Sequence, residues 1–215
     1  MPGNRGGVGA FQDIVEDYTC LDLAESVRKY YHKEFIQGSA TDMPFPDDSF
    51  DMIWSIAALE HIPEPAKAFD EMIRVCRDGG HLLLSPAWHC RRWAAQGYQV
   101  RPYSDFNIWG KLYKFMIPLL DNIAVRAVAI MPVRAYGTIL YAVTKPRGNM
   151  PFIYTKLKPQ YEVHRTADDD ACNSMDPFMA ILYFESRGHK CVSHQSFLKK
   201  ITSTHGFIDI EIKKD

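Results

Sequence analysis

The chain has 215 residues, of which 47% are hydrophobic and 24% charged, a balance typical of a folded globular domain rather than a disordered or repetitive chain. Its 25 Lys and Arg residues against 26 Asp and Glu residues give a net charge of −1, so overall charge does not recruit nucleic acid or acidic lipid. The five cysteines are odd in number and form no C-x-x-C pair, which favours a reducing cytoplasm over a disulfide framework or a zinc site.

The sequence shows neither a predicted export signal nor a predicted membrane-spanning segment. Residues 1–9 are glycine-rich and polar and do not form a secretory signal. The most apolar stretch, residues 115–144, is interrupted by charged residues and by Pro118 and Pro132. The sequence therefore predicts that no segment is long enough to span a bilayer.

The first 85 residues alternate short apolar runs with helical periodicity, a pattern typical of parallel strands joined by crossover helices. The predicted helices cover residues 24–33 and a segment that begins at Pro65 and ends at Gly79 and Gly80. Strands are predicted at residues 18–23, 35–36, 50–55 and 81–85.

From residue 86 to 158 the sequence becomes aromatic, basic and interrupted by proline, which predicts a cap with several short helical segments. We therefore predict a core formed by residues 1–85 and 159–215, with 86–158 as an insertion.

The end of the chain returns to regular patterns. Asp176 and Pro177 predict the start of a helix, and Gly188 predicts its end. Two closing strands are predicted, at residues 190–193 and 207–212, and the second alternates like an edge strand with one solvated face.

Several short motifs in the first half follow one another in a fixed order. They are Gly38-x-Ala40 with Met43-Pro44-Phe45, then Phe50-Asp51, then Glu60-His61-Ile62, and then Arg74-Val75 with Gly79-Gly80. The ordered set resembles the class I S-adenosylmethionine-dependent methyltransferases, in the type 11 methyltransferase domain family. The resemblance implies an α/β fold with a Rossmann-like sheet, mostly parallel with an antiparallel last strand, to which the predicted cap adds a helical insertion.

The resemblance implies S-adenosyl-L-methionine as cofactor and assigns residues to it. Asp22 would bind the ribose, although an acid at this place also caps a helix N-terminus. Ser39 and Ala40 would lie along the adenine, and the methionine moiety would be lined by Ser55, Ile56 and Leu59. His61 would either act as a general base on an acceptor hydroxyl or orient its loop, since transfer from a sulfonium often needs only alignment.

The same resemblance requires an apolar strand and a glycine-rich loop about twenty residues before the ribose acid. Counting back from Asp22 reaches residues 1–5, so Gly3 would belong to the end of that loop, and the strand would precede Met1. We therefore expect a shortened version of a longer methyltransferase that lacks its central first strand. The alternative is a degenerate binding module without catalysis.

Candidate acceptor-binding residues are Trp88, His89 and Arg92 in the cap and Asp168 and Asp170 beyond it. Aromatic and guanidinium groups stack on rings and pair with phosphates, which favours a small-molecule, sugar or lipid-linked acceptor. An ordinary packed cap with a solvated basic rim explains the same residues. The acidic run that includes Asp168 and Asp170 lacks the spacing of a calcium-binding loop, so no metal site is predicted.

Residues 111–145 combine cations with large apolar side chains, which fits either contact with a membrane interface or a buried helical hairpin. We therefore expect a cytoplasmic protein that is either free or peripheral at a membrane.

Two other enzyme classes are less well supported. Tyr141 and Lys145 have the Y-x-x-x-K spacing of short-chain dehydrogenases without their glycine motif, and the segment after the fourth predicted strand lacks the N/D-P-P-Y/F/W motif of nucleic-acid amine methylation.

Overall fold

The computed structural model describes residues 15–30, 33–145, 148, 150–159 and 170–214. Gly3 and Asp168, two of the predicted site residues, lie outside these ranges. The strands are β1 (Thr19–Asp22), β2 (Glu34–Gln37), β3 (Phe50–Ile56), β4 (Cys76–Ser85), β5 (Thr155–Lys156), β6 (Asn173–Ser174), β7 (Lys190–Cys191) and β8 (Ile208–Glu211). The α-helices are α1 (Pro65–Val75), α2 (Arg92–Ala95), α3 (Ile108–Leu120), α4 (Ile123–Thr144), α5 (Pro177–Ser186) and α6 (Phe197–Thr202), and short 3₁₀ segments cover Glu25–Tyr30, Leu59–His61 and Tyr103–Asp105.

A four-stranded sheet with the order β3-β4-β8-β7 forms the centre of the fold. β3 and β4 are parallel, with α1 as their crossover helix, and β8 is antiparallel to both of its neighbours. The Rossmann-like α/β fold with an antiparallel last strand is therefore confirmed. The prediction that the last strand lies at an edge is wrong, because β7 pairs with its outer side.

β1 and β2 form a separate parallel pair, in register from Thr19 opposite Glu34 to Asp22 opposite Gln37. In the part of the chain that the structure describes, no backbone ladder joins β1 to β3. The rings of Tyr18 and Trp54 approach across this space, with their centroids 6.1 Å apart. The edges of β1 and β3 thus flank an opening in the region where the resemblance implies a central strand.

Helix α1 packs one side against the sheet because its buried residues recur at helical spacing. Ala68, Phe69, Met72 and Val75 are almost fully buried. Pro65 occupies the first turn, as predicted, because this position needs no amide hydrogen.

The predicted end of this helix is wrong, because α1 stops at Val75 and the two glycines lie inside β4. A Cβ on Gly80 would lie 2.7 Å from the Cys76 sulfur and 2.8 Å from the Asp51 carbonyl oxygen. Close approach of the backbone, rather than termination of a helix, therefore requires glycine at this position.

Helix α5 is buried on nearly every side and forms the middle of the core. Asp176 caps it by accepting a hydrogen bond of 2.8 Å from the Phe178 amide, and Pro177 occupies the first turn, so its predicted start is confirmed. Beyond Ser186, the Gly188 backbone adopts a left-handed conformation with a φ of +91°, as a helix-ending glycine should.

The region predicted to hold several short helices instead contains two long ones, α3 and α4. Pro118 and Pro132 lie inside these helices, so the expectation that they interrupt the apolar stretch is wrong. By length and composition alone, the 22 residues of α4 suffice to cross a membrane. The helix persists because its inner side packs on α5, where Gly137 faces Met179, and tertiary packing overrides the local cost of proline.

The predicted boundary between cap and core stays a prediction. Met150 and Phe152, which that boundary assigns to the cap, lie in the same apolar core as Phe69 and α5. β5 pairs with β6 across the predicted boundary as well.

Candidate functional site

The main cavity lies between β1 and β3 and has a volume of about 590 Å³. Predicted cofactor residues from both strands line it together, namely Asp22 from β1 and Ser55 and Ile56 from β3, with Ala40 from the loop after β2. The rest of the wall combines apolar side chains such as Trp54 with the charged residues Asp51 and Arg77. The structure therefore brings four of the predicted cofactor residues to one space.

Asp22 ends β1, where its carboxylate also serves the backbone that follows. One carboxylate oxygen accepts a hydrogen bond of 2.8 Å from the Ala24 amide. This is the capping role that the sequence offers as an alternative, and it holds the side chain at the start of the 3₁₀ segment Glu25–Tyr30. A carboxylate has two oxygens and about four acceptor positions, so this bond does not use up its capacity.

The turn after β2 places Ala40 at the cavity. Gly38 makes this turn possible, because a Cβ there would lie 2.8 Å from the Leu21 side chain and 3.2 Å from the Pro44 ring. The Ser39 hydroxyl lies 2.8 Å from the Thr41 hydroxyl and accepts from the Thr41 amide, so it stabilises the turn itself. The predicted contact of Ser39 with an adenine stays a prediction.

An arginine from α1 holds the loop that borders the cavity. Arg74 donates hydrogen bonds to the carbonyl oxygens of Met43, at 2.9 Å, and Phe45, at 2.8 Å. It also pairs with the carboxylates of Asp47 and Glu71, at 2.8 and 2.7 Å, and its bonds lower the pKa of the Glu71 carboxyl. The family motif contains Arg74, but the sequence offered no sign that its role is to fix this loop.

The turn after β3 combines an unusual backbone with a buried side chain. Ala57 has a φ of +49°, in the left-handed region that non-glycine residues seldom adopt, and its amide donates to the Ser85 carbonyl oxygen. Leu59 is fully buried in the core and is not among the described residues that line the cavity. Its assignment to the cofactor stays a prediction.

Asn173 fixes the same turn from the other end of the chain. Its buried amide nitrogen lies within hydrogen-bond distance of three carbonyl oxygens, those of Leu59 at 2.8 Å, Glu60 at 3.3 Å and Ile62 at 2.7 Å. No local signal could have shown its role, because its partners lie more than 110 residues away along the chain.

The structure brings together two residues that the sequence predicted separately. The His61 Nδ1 lies 3.3 Å from the Asp170 carbonyl oxygen and 3.6 Å from its carboxylate. The other ring nitrogen lies 3.8 Å from the buried carboxylate of Glu60. His61 therefore joins the turn after β3 to the segment before β6, and its side chain is 41% exposed.

The predicted acceptor residues of the cap differ in their hydrogen-bond partners and in their exposure. The Trp88 indole donates a hydrogen bond of 2.8 Å to the Gly206 carbonyl oxygen, and the His89 amide donates to the Met175 carbonyl oxygen at 2.9 Å. Burial lowers the pKa of His89, whose Nε2 has no hydrogen-bond partner among the described residues. Arg92 is exposed at the start of α2. Their contact with an acceptor stays a prediction.

A family model described as a methyltransferase domain matches residues 3–84, the range that contains β1 to β4 and the ordered motifs. Residues 3–84 of this chain are therefore similar to the methyltransferase domain family. The resemblance inferred from the sequence is thereby confirmed.

Three curated relatives show how far the similarity extends along the chain. Tocopherol O-methyltransferase, chloroplastic, from Arabidopsis thaliana is 34% identical over 112 residues, which are 52% of this chain and 32% of that protein. Demethylmenaquinone methyltransferase from Paenarthrobacter aurescens is 43% identical over 78 residues, 36% of this chain and 31% of that protein. Phthiotriol/phenolphthiotriol dimycocerosates methyltransferase 1 from Mycobacterium ulcerans is 33% identical over 120 residues, 49% of this chain and 44% of that protein.

This chain spans less than half of the length of those three relatives. Among solved structures, the YcgJ protein of Bacillus subtilis is 29% identical, with a TM-score of 0.34 over 37% of this chain and 38% of that one.

Proposed function

We propose that the chain transfers a methyl group from S-adenosyl-L-methionine to a small-molecule or lipid-linked acceptor in the cytoplasm, rather than to nucleic acid. The observation that carries this proposal is the cavity between β1 and β3, where Asp22, Ser55 and apolar side chains meet in a chain similar to this family. Relatives named for tocopherol, demethylmenaquinone and dimycocerosates support an acceptor of this kind.

The polar and apolar residues around the cavity suit a nucleoside with an amino-acid tail. An acidic residue at the end of a strand accepts the two hydroxyl hydrogens of a ribose, and Asp22 retains acceptor capacity for them. Ala40 would lie beside the base, and Ser55 and Ile56 would face the methionine part. When bound, the cofactor supplies a methyl group on a positively charged sulfur.

The protein's contribution to such a transfer is alignment and exclusion of water. The clamp formed by Arg74 and the bonds from Asn173 hold the two loops that border the cavity. Fixed loops keep the acceptor in line with the methyl group, and such positioning can supply most of the barrier reduction. In this scheme, His61 is a positioning residue that acts through Asp170.

The proposed ribose contact is tested by the Asp22→Asn variant. The amide oxygen of asparagine can still cap the Ala24 amide, but the charged acceptor is lost. Because hydrogen bonds to charged groups contribute about 1.5–3 kcal/mol, we expect affinity for S-adenosylhomocysteine to fall roughly 10- to 100-fold by calorimetry. The matched control is Glu25→Gln, which removes an exposed carboxylate that pairs with Arg28 nearby. Equal affinities for Asp22→Asn and the control would refute the contact.

The role of His61 is tested by comparing His61→Gln with Asp170→Asn. If His61 acts by positioning, His61→Gln should lower kcat by less than about 100-fold and Asp170→Asn by less still, because the second variant keeps the backbone carbonyl at 3.3 Å. Both variants should leave the pH profile unchanged. A general base would instead show a loss of about 10²- to 10⁴-fold in His61→Gln alone, together with loss of the acidic limb of the profile. Steady-state methyl transfer from radiolabelled cofactor measures kcat and its pH dependence for both variants.

A second candidate function is a binding module without catalysis. The commitment of the Ser39 hydroxyl to its own turn favours it, because this hydroxyl is then less available to an adenine. Calorimetry on the folded chain separates the two functions. Micromolar binding of S-adenosylhomocysteine supports the methyltransferase, and the absence of binding to folded protein supports the binding module.

A further inference from the structure

Helices α3 and α4 expose an unusually large apolar surface, which we call the α3–α4 face. On α3, Ile108, Leu112, Phe115 and Leu119 repeat at helical spacing, and all are more than half exposed. The α4 members that are equally exposed are Ile123, Val128, Tyr136, Ile139 and Val143. Large apolar side chains exposed in this number on two consecutive helices point to a place of interaction.

The opposite side of α4 is fixed to the core at its middle. Arg134 forms two hydrogen bonds with the Asp176 carboxylate, at 2.9 and 2.8 Å, and is almost fully buried. One turn further, Gly137 lies against Met179 of α5. A helix held by its middle to the core cannot cross a bilayer in this fold, although its length and composition would allow it. Only its outer side is available to a partner.

The charge around the face has one sign. Apart from the buried Arg134, residues 108–145 contain the cations Lys111, Lys114, Arg126 and Lys145, and their only acid is Asp121. Asp121 lies 3.3 Å from Arg91 and 3.5 Å from Arg126, so its charge is already paired. Lys111 and Lys145 are exposed. This positive rim is complementary to anionic headgroups, and two copies of the face placed together would repel.

The aromatic residues of the face point to the same partner. Trp109 at the start of α3 and Tyr136 in α4 are both more than half exposed. Rings of these two types prefer the boundary between headgroups and acyl chains, where one end is apolar and the other is hydrated.

We infer that the α3–α4 face binds the surface of an anionic bilayer, with both helices lying in the plane of the interface. The inference goes beyond the proposed methyl transfer and does not depend on it, because a catalytically silent chain would bind vesicles equally well. Apolar burial would supply the binding energy, and the basic rim would select the lipid.

The test is co-sedimentation of the full chain with vesicles of phosphatidylcholine alone and of phosphatidylcholine mixed with phosphatidylglycerol. We expect binding to the mixed vesicles that weakens at high salt. The double variant Phe115→Glu/Ile139→Glu should lose binding by about tenfold or more, because it places carboxylates in the apolar face. Leu198→Glu is the matched control, since Leu198 is similarly exposed on α6, and it should bind as the wild type does.

Three outcomes would overturn the inference. They are absence of binding to mixed vesicles, equal loss of binding in the control, and a lipid-independent dimer in light scattering that only the double variant abolishes. Circular dichroism and thermal unfolding establish that each variant is folded. Calorimetry with S-adenosylhomocysteine on the same samples keeps this result separate from the test of the proposed function.

Discussion

Replacing Arg134 with methionine is expected to lower the free energy of unfolding by about 3–5 kcal/mol. The reason is that the buried charge of Asp176 then has no cationic partner. The guanidinium of Arg134 forms two bonds with that carboxylate and also donates to the carbonyl oxygens of Ile201 and Ser203. At roughly 2–4 °C per kcal/mol, Tm should fall by about 6–20 °C in a chain of this size.

Two further variants separate the causes of this loss. Arg126→Met, which removes a partly exposed arginine 3.5 Å from Asp121, should cost less than about 1 kcal/mol. Adding Asp176→Asn to Arg134→Met removes the unpaired charge while the amide oxygen can still cap α5, so the double variant should recover part of the stability. Urea unfolding measures all of them, and a loss below about 1 kcal/mol for Arg134→Met would contradict the argument.

Phe69→Ala is expected to lower the free energy of unfolding by a similar amount, about 3–5 kcal/mol, because it opens a cavity in the core. Phe69 is fully buried on α1. The centroid of its ring lies 4.9 Å from the ring centroid of Phe152, 5.8 Å from that of Tyr183 and 5.0 Å from that of Phe184. These neighbours belong to α5 and to the segment after α4, so one side chain joins three parts of the chain.

Phe197→Ala provides the matched control, since Phe197 on α6 is 57% exposed and its loss should cost below about 1 kcal/mol. Phe69→Leu, which retains most of the apolar volume, should fall between the two. If thermal unfolding gave the same Tm for Phe69→Ala and Phe197→Ala, the core would be less dependent on this cluster than its packing indicates.

Local signals predicted the elements that depend on local chemistry. Pro65 marked the start of α1, and Asp176 with Pro177 marked the start of α5, because capping and first-turn preferences involve residues that are adjacent in the chain. The proline signal failed in α4, where packing on α5 overrides the local preference of Pro132.

The residues that organise the candidate site were harder to predict. Asp22, Ala40, Ser55 and Ile56 were found through the family motif, and the structure places all four at one cavity. Asn173 and Arg134 were not found, because their partners lie 42 to 114 residues away and a single sequence contains no record of that pairing. Their types were informative only in retrospect, as buried polar groups that require partners.

The separation of the β1–β2 pair from the four-stranded sheet has a consequence for cooperativity. Asp22 belongs to the pair, whereas Ser55 and Ile56 belong to the sheet, so the two halves of the cavity lie on units without a shared backbone ladder in the described chain. A conformer in which the pair is separated from the sheet would lack half of the site. The observed affinity for any ligand that contacts both halves is then the intrinsic affinity multiplied by the fraction of molecules with the units together. Amide exchange in β1 and β2 should slow when such a ligand is added.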